Sequence, residues 1–311
     1  MIKKDISKII EKDYVKFISV CFVDALGQLR SKLVNKRKVI DALNNDGKGL
    51  TIALPSLALG YCDTQVEISG LSSNKDKFGD IPAKIDFNSF RILPFENEGQ
   101  NLICFIELED EYKSFCSRSI LKKILNKANK QDLYPRFGVE LEFTLLDETS
   151  KSIKNKSYNN LSTTTLESSY NLLQRQNLQS EIYNDFIDFS EIMKIEVEAW
   201  HEEMGAGYME VALLSGKTIK SADDTILVKH LIKQIALQHD KVATFMARWS
   251  NDADGHSGHI HISLENGKKE NLFKNNSKTF KNFVSGMQSY SPELMLLFAP
   301  NANSFKRYQP E

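Results

Sequence analysis

With 311 residues, and 40 Lys and Arg against 41 Asp and Glu, the chain is long enough for two domains and close to neutral. No basic excess is available to neutralise phosphates, which argues against a nucleic-acid coat, and no apolar run approaches the ~18 residues of a membrane span. The N-terminal MIKKDISKIIEKDYVKF has acids and lysines where a signal peptide needs an apolar stretch, and Cys21, Cys62, Cys104 and Cys116 are scattered, the pattern of a cytoplasmic globular protein with reduced thiols.

In chain order, KFISVCFVDALGQLRSKLV predicts a hairpin, with Asp24 and Gly27 supplying the turn. FRILPF and NLICFIEL, separated by the acidic ENEGQ, are further strands of a small sheet-rich unit, residues 1–112. At SRSILKKILNKANKQ the spacing turns helical, with Ser117 as a cap and Ile120, Leu121, Ile124 and Leu125 on one face; a second domain, 113–311, begins here. In that domain FGVELEFTLLD reads as a strand, the polar KSIKNKSYNNLSTT as a mobile loop and LESSYNLLQRQNLQSEI as a helix. KIEVEAWHEEMGAGYMEVALL reads as two strands joined through GAG. SADDTILVKHLIKQIALQHD is the strongest helix, with Asp223 and Asp224 at its positive end. VATFMARW, the strand GHSGHIHISL and a last helix through KTFKNFVSGMQSY follow.

Strand side chains alternate between faces, so parity predicts which residues look together. In VELEFTLL, Glu140, Glu142 and Thr144 share one face, and Val139, Leu141, Phe143 and Leu145 the other. In IEVEAWHEE, Glu196, Glu198 and Glu202 share parity opposite Val197 and His201. Glu210 stands alone in YMEVALL, and the GAG turn brings it near Glu202. In HIHISL, His259, His261 and Ser263 form one face. Singly, each has a plain reading: a lone Glu on a half-buried strand is usually solvated, and an HxH pair is often one hydrogen-bonded core histidine beside an exposed one. Repetition shifts the balance. If the faces converge, Glu140, Glu142, Glu202, Glu210 and His259 need divalent cations between them, because clustered carboxylates raise one another's pKa. Carboxylates with one imidazole suit Mg²⁺ or Mn²⁺, whereas catalytic zinc more often takes two or three histidines. Two hard cations in one cleft suit phosphoryl transfer, with His259 as a ligand and His261 reaching a phosphate beside it. His201, His230 and His239 read as packing or surface residues, and His256 stays open.

GVELEF, HEEMGAGYMEVAL, ADDTILVKHLIKQIALQHDKVATFMARW, GHSGHIHISL and APNANSFKRY stand in the order and spacing of the glutamine synthetase family, which the chain resembles from its first hairpin to its last residue. The resemblance implies an α+β fold: a small N-terminal β-grasp domain, then a catalytic α/β domain with a curved antiparallel sheet. It implies homo-oligomeric rings with active sites between neighbouring subunits. It also implies ATP and Mg²⁺ or Mn²⁺ as cofactors, with glutamate and ammonia or a small amine as substrates joined through a γ-glutamyl phosphate. By the same resemblance Glu140 and His259 hold the metal nearer the nucleotide phosphates, and Glu142, Glu202 and Glu210 the metal nearer the substrate. Asp254 and Gly255 contact glutamate, His261 and Ser263 the nucleotide, and Arg307 is the catalytic arginine that grips the glutamate carboxylate, a task suited to a guanidinium fork.

Two departures bear on function. The family's Gly-Gln is here Gly207–Tyr208, and the segment that in ammonia-using members carries Asp-Gly-Ser-Ser reads ALPSLALGYCD. Loss of that ammonium-binding aspartate favours an alkylamine or polyamine, with Asp63 nearby as an alternative. Family members also continue beyond KRYQPE into a flap glutamate, further arginines and a last metal-binding glutamate, so the chain reads as truncated. A non-catalytic scaffold or regulatory member is therefore the second reading. A zinc hydrolase using His259 and His261 is a third, disfavoured because four of the five expected ligands are carboxylates.

Overall fold

A short helix, α1 (Lys3–Ile10), precedes the predicted hairpin, in which β1 (Phe17–Val23) pairs antiparallel with β2 (Leu29–Asn35). Asp24 sets the turn: its Oδ1 accepts from the N–H groups of Leu26 and Gln28, each at 2.9 Å. Then come α2 (Lys36–Asn44), β3 (Leu50–Ala53), β4 (Asp80–Ile92) and β5 (Leu102–Leu108). The strands make one five-stranded sheet in the order β2-β1-β5-β4-β3, with β1 and β5 parallel and the other neighbours antiparallel. The computed structural model describes residues 3–12, 14–57, 59–64, 66, 79–95 and 101–308; the ENEGQ linker and the final QPE lie outside them.

The helix α3 (Ser117–Asn129), expected to open the second domain, is tied to the first sheet by charge. Arg118 and Lys122 reach Asp86 at 2.8 and 2.7 Å, and both also pair with Glu107. Burial pushes the Asp86 carboxyl up, but these cations more than offset it and hold the pKa at about 2. Ile120 and Ile124, on the predicted apolar face, are exposed. By contacts the chain divides into Met1–Lys127 with Ile192–Lys194, and Ala128–Glu191 with Ile195–Glu311.

The second unit starts with β6 (Tyr134–Leu146) and continues through α4 (Ser150–Asn155), α5 (Leu173–Leu178), α6 (Ser180–Ile192), β7 (Val197–Glu202), β8 (Tyr208–Leu213), β9 (Gly216–Lys217), α7 (Thr218–Gln238), β10 (Val242–Thr244), β11 (Gly258–Glu265), α8 (Lys278–Phe298) and α9 (Ala302–Phe305). The asparagine-rich stretch read as a loop contains α4, because Thr149 and Ser152 form a capping box. The single helix expected over 166–182 is instead α5 and the start of α6.

All pairings in the second sheet are antiparallel, with β6 at the centre. One edge of β6 takes β11 and then β10; the other takes β9 and β8, and β7 lies beyond β8. Behind it runs α7, anchored where the Thr218 and Ser221 hydroxyls donate to the carbonyls of Pro135 (2.8 Å) and Phe137 (3.0 Å). This helix begins at Thr218, so Asp223 and Asp224 fall in its second turn rather than at its positive end, and Asp224 pairs with Lys220 at 2.6 Å. Buried Phe143, Leu145, Met209 and Val211 of the sheet, and Leu227, Leu231 and Ile235 of α7, make the core. Among the described residues no helix is long and apolar enough to cross a membrane.

One irregularity controls the site. Val197 pairs with Leu213, yet Ala199 pairs with Ala212, so β7 carries an extra residue, a β-bulge, at Glu198. A one-residue slip exchanges the two faces of everything beyond it. The β7–β8 turn that follows requires glycine at position 207: its φ is +66°, and a Cβ would stand 2.6 Å from the Leu145 carbonyl oxygen.

Candidate metal-binding cleft

Residues directly opposite in an antiparallel pair share a face. On β6, Glu140 is opposite Ala212 and His259, Glu142 is opposite Glu210, and Gly138 and Arg136 are opposite His261 and Ser263. Three strands thus bring Glu140, Glu142, Glu210, His259, His261 and Ser263 to one face, as parity predicted. Glu140 sits between the two imidazoles, with Oε2 3.0 Å from His259 Nδ1 and Oε1 2.9 Å from His261 Nε2. The imidazole expected to reach a phosphate therefore rests on a carboxylate. Glu210 is buried, and burial together with Glu140, and further with Glu142 and Glu203, pushes its carboxyl up, against a smaller opposing effect of His201.

Glu202 does not join this group. Beyond the bulge the residue opposite Glu210 is His201, while Glu202 is opposite Met209. Glu202 shares the parity of Trp200, whose ring meets Phe143 at 5.3 Å and Phe186 at 4.9 Å on the apolar side. Its buried carboxylate accepts from the Ser169 hydroxyl, and its Oε1 has no hydrogen-bond partner among the described residues. His201, read from sequence as packing, takes the cleft position instead: its Nε2 lies 2.9 Å from Glu203 Oε1 and 3.6 Å from Glu210 Oε1. Counting alternation from Val197 could not reveal this, because the bulge lies between Val197 and the residues that matter. The one available signal was Trp200, a large aromatic residue whose packing against Phe143 and Phe186 demands the parity that turns Glu202 away.

Glu142 reaches the cleft but is heavily engaged. Tyr208 donates its hydroxyl to Oε2, the Ser257 N–H donates to the same oxygen at 2.6 Å, and the Ser257 hydroxyl donates to Oε1 at 2.9 Å. Burial pushes the Glu142 carboxyl up, but these bonds and His259 outweigh it, leaving the pKa below the usual value. Burial, reinforced by Glu142, drives the Tyr208 phenol far up, so it remains a donor. Tyr208→Phe is expected to cost about 1.5–3 kcal/mol, the range for a hydrogen bond to a charged group, read as a lower urea midpoint with unchanged m-value. No loss would mean that Ser257 alone satisfies Glu142.

The loop residues cluster beside this point. A Cβ on Gly255 would lie 2.4 Å from Arg307 Cδ and 3.0 Å from the Ala247 carbonyl oxygen, so a bare backbone here lets the exposed Arg307 side chain lie across the loop. Asp254, Thr144 and Tyr208 border a cavity of about 650 Å³ that Arg248 and Lys306 also line. Asp63 forms an ion pair with Arg30 at 2.6 Å in the first unit.

Donor atoms from Glu140, Glu210 and His259 lie within 4.8 Å of one another, and so do those of His201, Glu203 and Glu210. Ligand atoms ~2.1 Å from an octahedral ion are ~3–4.2 Å apart, so small side-chain adjustments close either group. The mutual repulsion acting on Glu210 is what a hard divalent cation relieves, and the residues fit one. The fold and this cleft define a two-unit α+β protein whose antiparallel sheet gathers carboxylates and imidazoles where cations can neutralise them. More particularly, the chain belongs to the glutamine synthetase family: the family model described as glutamine synthetase, catalytic domain, matches residues 114–311. It is 32% identical over 301 residues to type-1 glutamine synthetase 2 of Dictyostelium discoideum, covering 94% of this chain and 57% of that one. It is 27% identical over 317 residues to glutamate–isopropylamine ligase of Pseudomonas sp, covering 98% and 68%. Gamma-glutamylputrescine synthetase PuuA of Escherichia coli K12 is 25% identical over 305 residues, covering 95% and 64%. The solved structure of ligand-free GmaS shares the fold, with a TM-score of 0.83 over 98% of this chain and 69% of that one at 22% identity. The chain thus spans 57%, 68% and 64% of the three curated relatives.

Proposed function

We propose that this chain belongs to an ATP-dependent ligase that joins a small amine to the γ-carboxylate of glutamate through a γ-glutamyl phosphate. The observation that carries the reading is the convergence of Glu140, Glu210 and His259 on one sheet face of a glutamine synthetase family member. Bound Mg²⁺ or Mn²⁺ would neutralise phosphate oxygens and the charge of the acyl phosphate. Glu140 and His259 hold the ion nearer the nucleotide, with His261 and Ser263 extending the same face toward it. Asp254 and the bare backbone of Gly255 position glutamate, and Arg307, lying across Gly255, pairs with its carboxylate.

For the amine, the missing Asp-Gly-Ser-Ser segment and the engagement of Asp63 by Arg30 favour an alkylamine or diamine over ammonia. Relatives named for isopropylamine and putrescine support that class. Homo-oligomeric rings with shared sites and a cytoplasmic location belong to the same reading. The test is ADP release with glutamate and, in turn, ammonium, a monoalkylamine, a diamine and ethanolamine, with the γ-glutamyl product weighed by mass spectrometry. Release that no amine stimulates would sink the proposal. A second reading, a non-catalytic scaffold that keeps the cleft, draws support from the hydrogen bonds that occupy Glu142. It predicts calorimetric binding of Mn²⁺ and nucleotide without turnover.

A further inference from the structure

We propose that the first unit binds a small anion of two or more charges, phosphoryl or carboxylate, in a cavity of about 770 Å³ beside its five-stranded sheet, where Lys48, Lys113 and Lys123 converge. None of the carboxylates and imidazoles of the cleft belongs to this unit. β3 pairs with β4 only over Asp80–Ala83, so from Lys84 onward β4 is a sheet edge among the described residues. The α2–β3 turn closes over that edge: the Ile85 N–H donates to the Gly47 carbonyl at 2.9 Å, and Asp46 pairs with Lys84 at 2.7 Å. The 3-10 turn Asp110–Phe115 and α3 supply further walls.

The orientation of α3 is the first sign of a ligand. An amphipathic helix ordinarily turns its apolar stripe inward, yet α3 has no buried residue and leaves Ile120 and Ile124 exposed. It turns Ser119, Lys122, Lys123 and Asn126 to the cavity instead, positions i, i+3, i+4 and i+7 of one face. Charge is the second sign. Lys84 is committed to Asp46, and Lys122 together with Arg118 to Asp86 and Glu107. Lys48, Lys113 and Lys123 have no ion pair among the described residues, and of the lining carboxylates only Glu109 is left to oppose them. Three ammonium groups against one carboxylate leave a surplus of two positive charges. The three come from a turn, a 3-10 helix and α3, so tertiary structure gathers them rather than a charge run in the sequence. Gathered like charges repel, and a dianion between them relieves the repulsion. Lysine suits this task, because a point charge on a flexible stem accepts phosphoryl and carboxylate oxygens alike.

Calorimetric titration of the 311-residue chain in EDTA with pyrophosphate and, separately, with citrate tests this, at an ionic strength held constant with NaCl. At least one of the two is expected to bind. Combining Lys113→Gln with Lys123→Gln should weaken that binding by about tenfold or more, since two charge-assisted hydrogen bonds are lost. Lys127→Gln, exposed on the same helix but outside the cavity, should leave it unchanged. Lysine acetylation read peptide by peptide by mass spectrometry gives an independent readout on the unaltered chain: the anion should shield Lys48, Lys113 and Lys123 and not Lys127. Binding of pyrophosphate alone, or of citrate alone, supports the site and names the class of ligand. No binding of either anion, binding that the double variant leaves unchanged, or an equal weakening by Lys127→Gln would overturn the proposal. Where circular dichroism shows the double variant misfolded, the acetylation pattern decides, and shielding that misses Lys113 and Lys123 or extends to Lys127 overturns it. None of these readouts depends on turnover, so they stand or fall apart from the ligase reading.

Discussion

Between pH 7 and about pH 4.5 the metal-free chain should lose roughly 2–3 kcal/mol of stability through one side chain, His256. The ring is 3% exposed, with Nε2 2.7 Å from Thr144 Oγ1 and its face against Tyr208 at 4.9 Å. Burial, helped by Arg307 and opposed by Glu142 and Asp254, lowers its pKa from 6.5 to about 4. Below pH 6.5 the unfolded chain therefore takes up a proton that the folded chain refuses until about pH 4. The unfolded state binds more protons across that window, so stability rises with pH within it and is flat above it. Urea unfolding of the parent and of His256→Gln, which keeps a donor for Thr144 but cannot titrate, isolates the effect as the difference between two pH profiles. Parallel profiles would show that His256 is not a buried neutral imidazole.

Phe143→Ala should cost about 3–5 kcal/mol, the range for truncating a fully buried aromatic. Phe143 is 0% exposed, meets Trp200 edge-on at 5.3 Å and stacks on Phe245 at 5.2 Å. Its strand carries Glu140 and Glu142 on the opposite face, so the loss of packing also loosens the scaffold of the cleft. Denaturant unfolding with the m-value checked gives the measurement. A cost under about 1 kcal/mol would mean that the aromatic group behind the sheet repacks freely.

Much of this architecture was legible in the sequence, for identifiable reasons. The apolar run FISVCFV and the turn residues Asp24 and Gly27 specify the first hairpin. The strict period of two in VELEFTLL and HIHISL places Glu140, Glu142, His259 and His261 together, because neither strand is interrupted over those residues. Failures cluster where local chemistry breaks a period. Thr149 and Ser152 cap a short helix that polar composition disguised as a loop, and tertiary packing starts α7 at Thr218, ahead of the acids that seemed to mark its end. In β7 the extra residue at Glu198 leaves no compositional trace, so spacing alone put Glu202 where His201 stands. His256 was undecidable from a loop sequence, since its burial arises from Thr144 and Tyr208, distant in the chain.

The extra residue at Glu198 also couples two properties that would otherwise vary separately. Were Glu198 instead paired opposite Ala212, Trp200 would swing to the wet face at the same moment that Glu202 arrived there and His201 left it, so the two faces cannot exchange donors by a shift of register without dismantling the aromatic interior. Chemical identity on the wet side is thereby held hostage to hydrophobic fit on the dry side, and matched letters in an alignment need not mean matched orientation.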